Sequence, residues 1–266
     1  MTTHVTSGND ATVPAPADGG PRGVLSKGTV VLGLVALAGA VALALLGLWG
    51  TPEDRVQGAM VRLIYVHPPA ATTAYVGCFL TTIGSIAVLW KRSRWWDLVA
   101  GASAEIAAVF CGVTLLTGML WGKPTWGVFW VWDARLTSTA MLMLLLVGYL
   151  ALRRLPADPD VRSRRAAWLG LLLVPNVILV RQSVEWWRTL HQEPTLTLPG
   201  AKIEGLQLFT MSLGFLVMFL VFAWLLIVRF RVGWLEEQVE AQGLDAAIAD
   251  RRAEAGPTGR TDGTER

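Results

Sequence analysis

Charged residues are scarce in this sequence. Asp, Glu, Lys and Arg make up only 16% of its 266 residues, whereas 53% of the residues are hydrophobic. Soluble domains usually carry about 25% charged residues. This deficit indicates a membrane protein rather than an ordinary soluble domain. The net charge is only +3, so the balance of charge gives no sign of a nucleic-acid partner.

Cysteine and recognisable redox motifs are equally scarce. The two cysteines, Cys78 and Cys111, lie inside apolar segments and form neither a CxxC pair nor a CxxCH motif. The chain is therefore neither a c-type cytochrome nor a dithiol reductase. A cleavable signal peptide is also disfavoured, because the first apolar run exceeds the roughly 7 to 15 residues of a typical signal core.

Long apolar runs are what the sequence has in abundance. A hydrocarbon core of about 30 Å requires roughly 20 helical residues. Six segments meet this requirement, although the fourth is short: residues 28–49, 70–90, 98–120, 136–152, 166–184 and 205–228. The sequence predicts an all-α polytopic membrane protein with six transmembrane helices.

Basic residues are concentrated in alternate loops. They follow the second, fourth and sixth apolar segments, and they include Lys91, Arg92 and Arg94, then Arg153, Arg154, Arg162, Arg164 and Arg165, then Arg229 and Arg231. Short loops rich in Lys and Arg remain in the cytoplasm. We therefore expect both termini to be cytoplasmic and the loops near 50–69, 121–135 and 185–204 to be external.

The chain is predicted to have three parts. Residues 1–24 are rich in Pro, Gly and Thr without a periodic apolar face, which indicates a disordered cytoplasmic tail. Residues 25–234 form the membrane domain. Residues 235–266 are predicted to begin as a cytoplasmic helix, on which Leu235, Val239 and Ile248 share one side, and to end as a frayed tail.

Two of the three histidines fall in predicted external loops. His67 precedes the second apolar segment and His191 follows the fifth, whereas His4 lies in the tail. A single histidine in a loop is usually just solvated. Two on one membrane face are also candidates for the axial ligands of a heme iron, since imidazole commonly has that role. Topology alone leaves both interpretations open.

The third predicted loop is rich in tryptophan. The segment WGKPTWGVFWVWD contains Trp121, Trp126, Trp130 and Trp132. An aromatic belt at the headgroup level is one interpretation. The density of rings, among glycines and a proline, favours an indole surface that stacks on a flat apolar macrocycle.

Two charged residues follow this segment directly. Arg135 can bind a carboxylate such as a heme propionate through two hydrogen bonds, or it can pair with Asp133. The sequence does not separate these alternatives.

The sequence resembles the CcmC proteins (heme exporter protein C), heme-handling proteins of bacterial cytochrome c maturation, over about residues 50–230. Three motifs carry the resemblance: WGKPTWGVFWVWDARLTS at 121–138, SVEWWRTLHQ at 183–192, and the spaced set Asp54, Gln57, Arg62, Tyr65 and His67. Arg188 stands where the family pattern has Asn, and Pro68 stands where Val is usual.

The resemblance implies an inner-membrane protein that receives heme b at the periplasmic face and ligates its iron with His67 and His191. It also implies transfer of this heme to the chaperone CcmE, beside the transporter subunits CcmA and CcmB and the small membrane protein CcmD. Arg62 and Arg135 are the expected propionate ligands. The predicted heme-binding set is His67, His191, Trp121, Trp126, Trp130, Trp132, Asp133, Arg135 and Arg62, with Glu185 and Glu193 as candidate acceptors for the second histidine nitrogens.

Two other functions compete with this transfer factor, which is not a conventional enzyme. A heme lyase or cytochrome c synthase also has a tryptophan-rich external loop, but six helices and two histidines outside the tail argue against a complete synthase. A heme-transporting permease requires polar groups along the membrane path, and the helices carry few. One of these is Glu105, which we expect to face the bundle interior or a wet cavity, most simply as a neutral acid.

Overall fold

The computed structural model describes residues 23–191, 196–197, 200–201 and 203–254. Its helices are α1 (Lys27–Leu45), α2 (His67–Lys91), α3 (Arg94–Trp126), α4 (Ala134–Arg154), α5 (Pro159–Gly170), α6 (Leu173–Trp186) and α7 (Gly205–Glu254). A π-helical turn (Leu46–Gly50) extends α1, and a 3-10 helix (Ala59–Tyr65) precedes α2. Two short strands, β1 (Leu196–Thr197) and β2 (Gly200–Ala201), pair antiparallel before α7.

The structure confirms six segments that are long and apolar enough to cross a membrane. They are Lys27–Gly50, Ala59–Lys91, Arg94–Trp126, Ala134–Arg154, Pro159–Trp186 and Gly205–Ala249. The chain is thus a multi-pass membrane protein. The fifth segment combines α5 and α6, which are separated by a turn at Leu171 and Leu172. Pro175 accounts for this break, because a helical proline clashes with the carbonyl group four residues earlier, here that of Leu171.

Small residues bring the central helices close together. A Cβ atom on Gly77 of α2 would lie 2.7 Å from Cβ of Ala107 on α3, and one on Gly84 would lie 2.8 Å from Cβ of Ala100. Small side chains permit such close approach between membrane helices, where dispersion contacts replace the hydrophobic effect as the source of association. The α2–α3 pair is therefore the centre of the bundle, on which α4, α5, α6 and α7 pack, while α1 packs on α7.

The end of the bundle opposite to His67 is held by ion pairs. Asp97 of α3 is only 3% exposed. Its carboxylate accepts hydrogen bonds from both terminal nitrogens of Arg153 on α4 and, at 2.7 Å, from Arg94. Arg94 also pairs with Glu237 of α7. These pairs satisfy a buried carboxylate, whose burial without partners would be costly.

Glu105 does not have the environment that the sequence led us to expect. Its side chain is 36% exposed, and it forms an ion pair with Arg229 of α7, in which Arg229 Nη2 lies 3.2 Å from Oε1. An ion pair with Arg229 thus stands where the sequence led us to expect an acid in the bundle interior or in a wet cavity. The pair links α3 to α7.

Several predicted boundaries differ from those in the structure. His67 is the first residue of α2 rather than a loop residue, and Trp121 and Trp126 belong to the last turns of α3. Helix α3 ends at Gly127, whose φ of +81° is the left-handed conformation that favours glycine at a helix end. Helix α7 continues without a break past residue 234. The predicted tails at 1–22 and 255–266 lie outside the described residues.

Candidate functional site

His67 is held against α3 at the start of α2. Pro68 and Pro69 follow it in the first helical turn, where proline is tolerated because the N–H group would have no partner there. The imidazole approaches α3 at Gly118: a Cβ atom on this glycine would lie 3.0 Å from Cε1 of His67. Any side chain at position 118 would therefore displace the ring.

A hydrogen bond to Thr117 selects the tautomer of His67. The Thr117 hydroxyl donates to the carbonyl oxygen of Val113 at 2.7 Å, and its oxygen lies 3.0 Å from Nδ1 of His67. Because the hydroxyl proton points to Val113, the oxygen accepts the hydrogen bond from Nδ1–H. A neutral imidazole protonated at Nδ1 has a free lone pair on Nε2, which is the form that binds a metal.

Of the two expected carboxylate acceptors, Glu185 does not have this role. Glu185 accepts a hydrogen bond from Nε2 of Gln182 at 3.2 Å, and Glu193 lies outside the described residues. A threonine hydroxyl thus replaces the predicted carboxylate beside His67. The threonine lies 50 positions from the histidine in the sequence, and only the packing of α2 on α3 brings the two together.

The chain that carries His191 is tied to the beginning of α4. Asp133 Oδ2 accepts hydrogen bonds from the Thr189 hydroxyl and, at 3.3 Å, from the Leu190 N–H. The His191 N–H donates to Thr189 Oγ1 at 3.0 Å. The other oxygen of Asp133 caps α4 by accepting from the Leu136 N–H at 2.8 Å. One carboxylate therefore fixes both a helix start and the histidine segment, and it does not pair with Arg135.

The two histidine rings face each other across a narrow gap. Their centroids are 6.2 Å apart and their planes differ by 29°. Two imidazoles that bind one metal ion from opposite sides have centroids about 6 Å apart, because each metal–nitrogen bond is about 2 Å and each nitrogen is about 1 Å from its ring centre. The centroid distance in this structure therefore matches that of two ligands of one ion, for which each ring must present the edge that carries Nε2.

Aromatic rings surround the histidine pair. Trp121 packs edge-on to His67 with centroids 6.0 Å apart, and Trp126 packs on His191 at 6.2 Å. The Trp121 Nε1–H donates to Oε1 of Gln57 at 2.8 Å, which fixes the orientation of this indole. Asp54 orders the same loop by accepting from the Gln57 N–H at 2.8 Å, and this hydrogen bond lowers the pKa of the Asp54 carboxyl group.

These rings line a cleft with about 1300 Å³ of space, including the solvent at its mouth. Much of its wall is apolar and includes Leu115, Met119, Trp121, Trp126, Trp130, Met211 and Phe215. Two cations, Arg135 and Arg181, also line it. An apolar cleft with a few polar groups is typical of a site for a small organic ligand.

Three predicted site residues do not line this cleft. The side chain of Trp132 is 82% exposed and packs edge-on to Trp130 at 5.5 Å. Arg62 Nη2 lies 3.6 Å from Oε1 of Glu53, and Asp133 has the capping and tethering bonds already described. The structure therefore brings His67, His191, Trp121, Trp126, Trp130 and Arg135 to the cleft.

Arg181 is a charged cleft residue that the sequence reasoning missed. It is a cation inside the apolar segment predicted at 166–184. Charged residues within transmembrane segments are rare and usually functional, so its position was an available signal.

The cleft presents two imidazoles as candidate metal ligands. Among the described residues, no group of three or more His, Cys, Asp or Glu side chains could hold a metal ion. Two imidazoles alone do not complete a protein-bound metal site, but they do complete the coordination of an iron whose other four ligands belong to a porphyrin.

Comparison with known proteins decides the family. The family model for heme exporter protein C matches residues 23–245. The chain belongs to the heme exporter protein C family. The match covers every helix up to α7 and all the cleft residues. It places the chain among the heme-handling membrane proteins of cytochrome c maturation.

Relatives in several bacteria carry the same name. The heme exporter protein C of Bradyrhizobium diazoefficiens is 36% identical over 206 residues, which are 75% of this chain and 78% of the relative. The protein of Escherichia coli is 41% identical over 165 residues, covering 60% of this chain and 67% of the relative. That of Paracoccus denitrificans is 37% identical over 200 residues, covering 73% and 83%.

Proposed function

We propose that this chain binds heme b at the periplasmic face of the bacterial inner membrane and promotes its transfer to the chaperone CcmE during c-type cytochrome biogenesis. The observation that carries the proposal is the pair of facing imidazoles, His67 and His191, with centroids 6.2 Å apart in a tryptophan-lined cleft. In this proposal the two rings are the axial ligands of the heme iron.

The hydrogen bonds around the histidines support a capture site that is built before heme arrives. Thr117 holds His67 with Nε2 available, and Asp133 holds the His191 segment through Thr189. Fixing ligands before binding reduces the entropy that binding would otherwise lose. The tryptophan rings supply apolar contact with the macrocycle, and a bound iron porphyrin supplies the vinyl groups through which a partner could be attached.

The open mouth of the cleft supports transfer rather than permanent storage. An edge of the macrocycle that remains accessible can be reached by a chaperone, whereas a fully enclosed heme cannot. We propose CcmE as the acceptor, and CcmA, CcmB and CcmD as neighbours in the membrane. This role is that of a loading platform beside a transporter.

The distribution of charge supports the proposed orientation. The end of the bundle opposite to the histidines carries Arg94 and Arg153, and the basic connection between α4 and α5 lies there too. Basic residues beside membrane helices favour the cytoplasmic side. The histidine end then faces the periplasm, and both termini are cytoplasmic.

Reporter fusions test this orientation. We expect a periplasmic reporter to be active when it is fused after residues 57, 130 or 190, and a cytoplasmic reporter to be active after Arg94 or Arg165. The physical reason is the cost of moving the arginine-rich connections across the bilayer, about 2.5 to 3.5 kcal/mol for each Arg at a helix centre. Periplasmic activity after Arg165 would contradict the orientation.

A reconstituted transfer assay tests the function. The full chain is purified after expression with heme, and its absorption spectrum is recorded before and after adding heme-free CcmE. We expect a six-coordinate heme spectrum, followed by loss of heme from the membrane protein and its appearance on CcmE. The distance between the rings supports this spectrum, because both axial positions would be filled.

The same assay separates the competing functions. Direct attachment of heme to an apocytochrome c without CcmE would indicate a synthase. Accumulation of heme inside proteoliposomes that contain only this chain would indicate a permease. Failure to retain any heme would reject the proposal itself.

A further inference from the structure

Two arginines meet in the cleft from neighbouring helices. Arg135 is the second residue of α4 and is half-buried, whereas Arg181 lies near the end of α6 and is exposed. Both line the cleft that contains the histidine pair, and they are near enough to each other for their charges to interact unfavourably. The fold thus places two positive charges in the wall of one cleft.

Neither arginine forms a salt bridge within the described residues, although Asp133 is near enough to Arg135 for their opposite charges to interact. The carboxylates closest to them along the chain have other partners: Asp133 accepts from Leu136, Thr189 and Leu190, and Glu185 accepts from Gln182. Like charges placed together without an anion are unfavourable, and an anionic ligand would remove this cost.

An indole N–H in the same cleft also lacks a partner. Trp130 lines the cleft, and its Nε1 is buried without a hydrogen-bond acceptor among the described residues. Buried N–H groups are nearly always paired with protein, water or ligand. A ligand acceptor in the cleft would satisfy this donor.

We infer that Arg181 and Arg135, together with the Trp130 N–H, form a subsite for the carboxylate groups of the porphyrin. The inference rests on the proposed heme binding and assigns Arg181 as a residue that selects macrocycles with free carboxylates. A guanidinium matches a carboxylate through two parallel hydrogen bonds, and such bonds are stronger than neutral ones. Arg62, the other arginine expected to have this role, lies instead beside Glu53.

The subsite complements the histidines in what it recognises. The imidazoles bind any porphyrin that carries a suitable metal, and the tryptophan rings bind any flat apolar ring. Only a carboxylate-binding group distinguishes iron protoporphyrin IX from its dimethyl ester, which has the same ring and iron but no negative charge at its edge. The experiment therefore compares the binding of iron protoporphyrin IX with that of its dimethyl ester.

The experiment measures porphyrin affinity of the full-length protein in detergent without added phospholipid. The variants are Arg181→Gln and, as a matched control, Arg188→Gln, which changes an exposed arginine of the following segment that does not line the cleft. Each protein is titrated with iron protoporphyrin IX and with its dimethyl ester, and binding is followed by heme absorption.

We expect Arg181→Gln to weaken binding of the free acid about tenfold, equivalent to about 1.4 kcal/mol, and to leave binding of the ester unchanged. Arg188→Gln should bind both compounds as the parent protein does. The six-coordinate spectrum should persist in Arg181→Gln at saturation, because the axial imidazoles are untouched. Trp130→Phe, which keeps a ring but removes the N–H, should also weaken only the free acid.

Equal losses of affinity for the free acid and the ester in Arg181→Gln would overturn the proposed subsite, but they would not contradict the proposed heme binding. Unchanged affinity for the acid in Arg181→Gln would overturn it as well. If the parent protein binds neither porphyrin, the proposed function fails instead, so the two failures are distinguishable. Arg181→Lys controls for a folding defect, because it keeps the charge but not the planar guanidinium group. Its loss of affinity for the free acid should be smaller than that of Arg181→Gln.

Discussion

Replacing either His67 or His191 with Gly is expected to convert the heme from six- to five-coordinate and to reduce the heme retained on purification roughly tenfold or more. Each substitution removes one of the two imidazoles and leaves a gap with the size and shape of an imidazole ring. Free imidazole should therefore occupy the gap and restore the six-coordinate spectrum in both variants. Absorption spectra of the purified proteins, with and without imidazole, provide the measurement.

His4→Gly provides the control for the loss of a histidine as such, because His4 belongs to the predicted amino-terminal tail. Its spectrum should match that of the parent protein. A six-coordinate spectrum in His67→Gly without imidazole would exclude His67 as a ligand, and the same result would exclude His191 in the other variant. Transfer to CcmE should weaken in step with the loss of coordination.

The six membrane-spanning segments could be predicted from the sequence because apolar composition over about 20 residues is a local property. The positions of the helix ends were harder to predict from the sequence. The tryptophan-rich segment looked like a loop, yet Trp121 and Trp126 are helical because α3 continues to Gly127, where a left-handed glycine ends it. Similarly, the two prolines after His67 begin a helix, and they do not mark an irregular loop.

The candidate site could be predicted only in part, since its supporting contacts are made between distant parts of the chain. The histidines and tryptophans stood out by residue type and by resemblance to a known family. Thr117 is an ordinary residue in an apolar segment, and its contact with His67 depends on the register of α2 against α3. No local pattern reveals that register.

Asp133 shows how a correct residue can have a role other than the one expected. The sequence placed it in the heme-binding set because it ends the tryptophan-rich motif. In the structure its oxygens bind the N–H of Leu136 at the start of α4 and the hydroxyl and N–H of Thr189 and Leu190. Thr189 and Leu190 lie 56 and 57 positions away from Asp133 in the sequence, so the connection to His191 arises from the tertiary fold. We therefore treat Asp133 as a positioning residue.

Asp133→Ala should release the His191 segment and thereby mimic His191→Gly, although no ligand is removed. The heme spectrum should shift toward five-coordinate and be restored by imidazole, while loss of the helix cap should lower stability by about 0.5 to 2 kcal/mol. The heme spectrum and the stability of Asp133→Asn should lie between those of the parent protein and those of Asp133→Ala. An amide has only one oxygen, which can cap α4 or accept from Thr189 but cannot do both.

Asp158→Ala separates loss of a cap from loss of the tether. Asp158 caps α5 by accepting from the Asp160 N–H at 3.0 Å, at the end of the bundle opposite to the histidines. Its replacement should cost a similar amount of stability, because the same kind of hydrogen bond is lost, yet it should leave the heme spectrum unchanged. Thermal unfolding and absorption spectra of both alanine variants make the comparison. If Asp133→Ala keeps a six-coordinate spectrum without imidazole, then the remaining contacts of Thr189 and Leu190 suffice to hold His191, and the carboxylate acts on α4 alone.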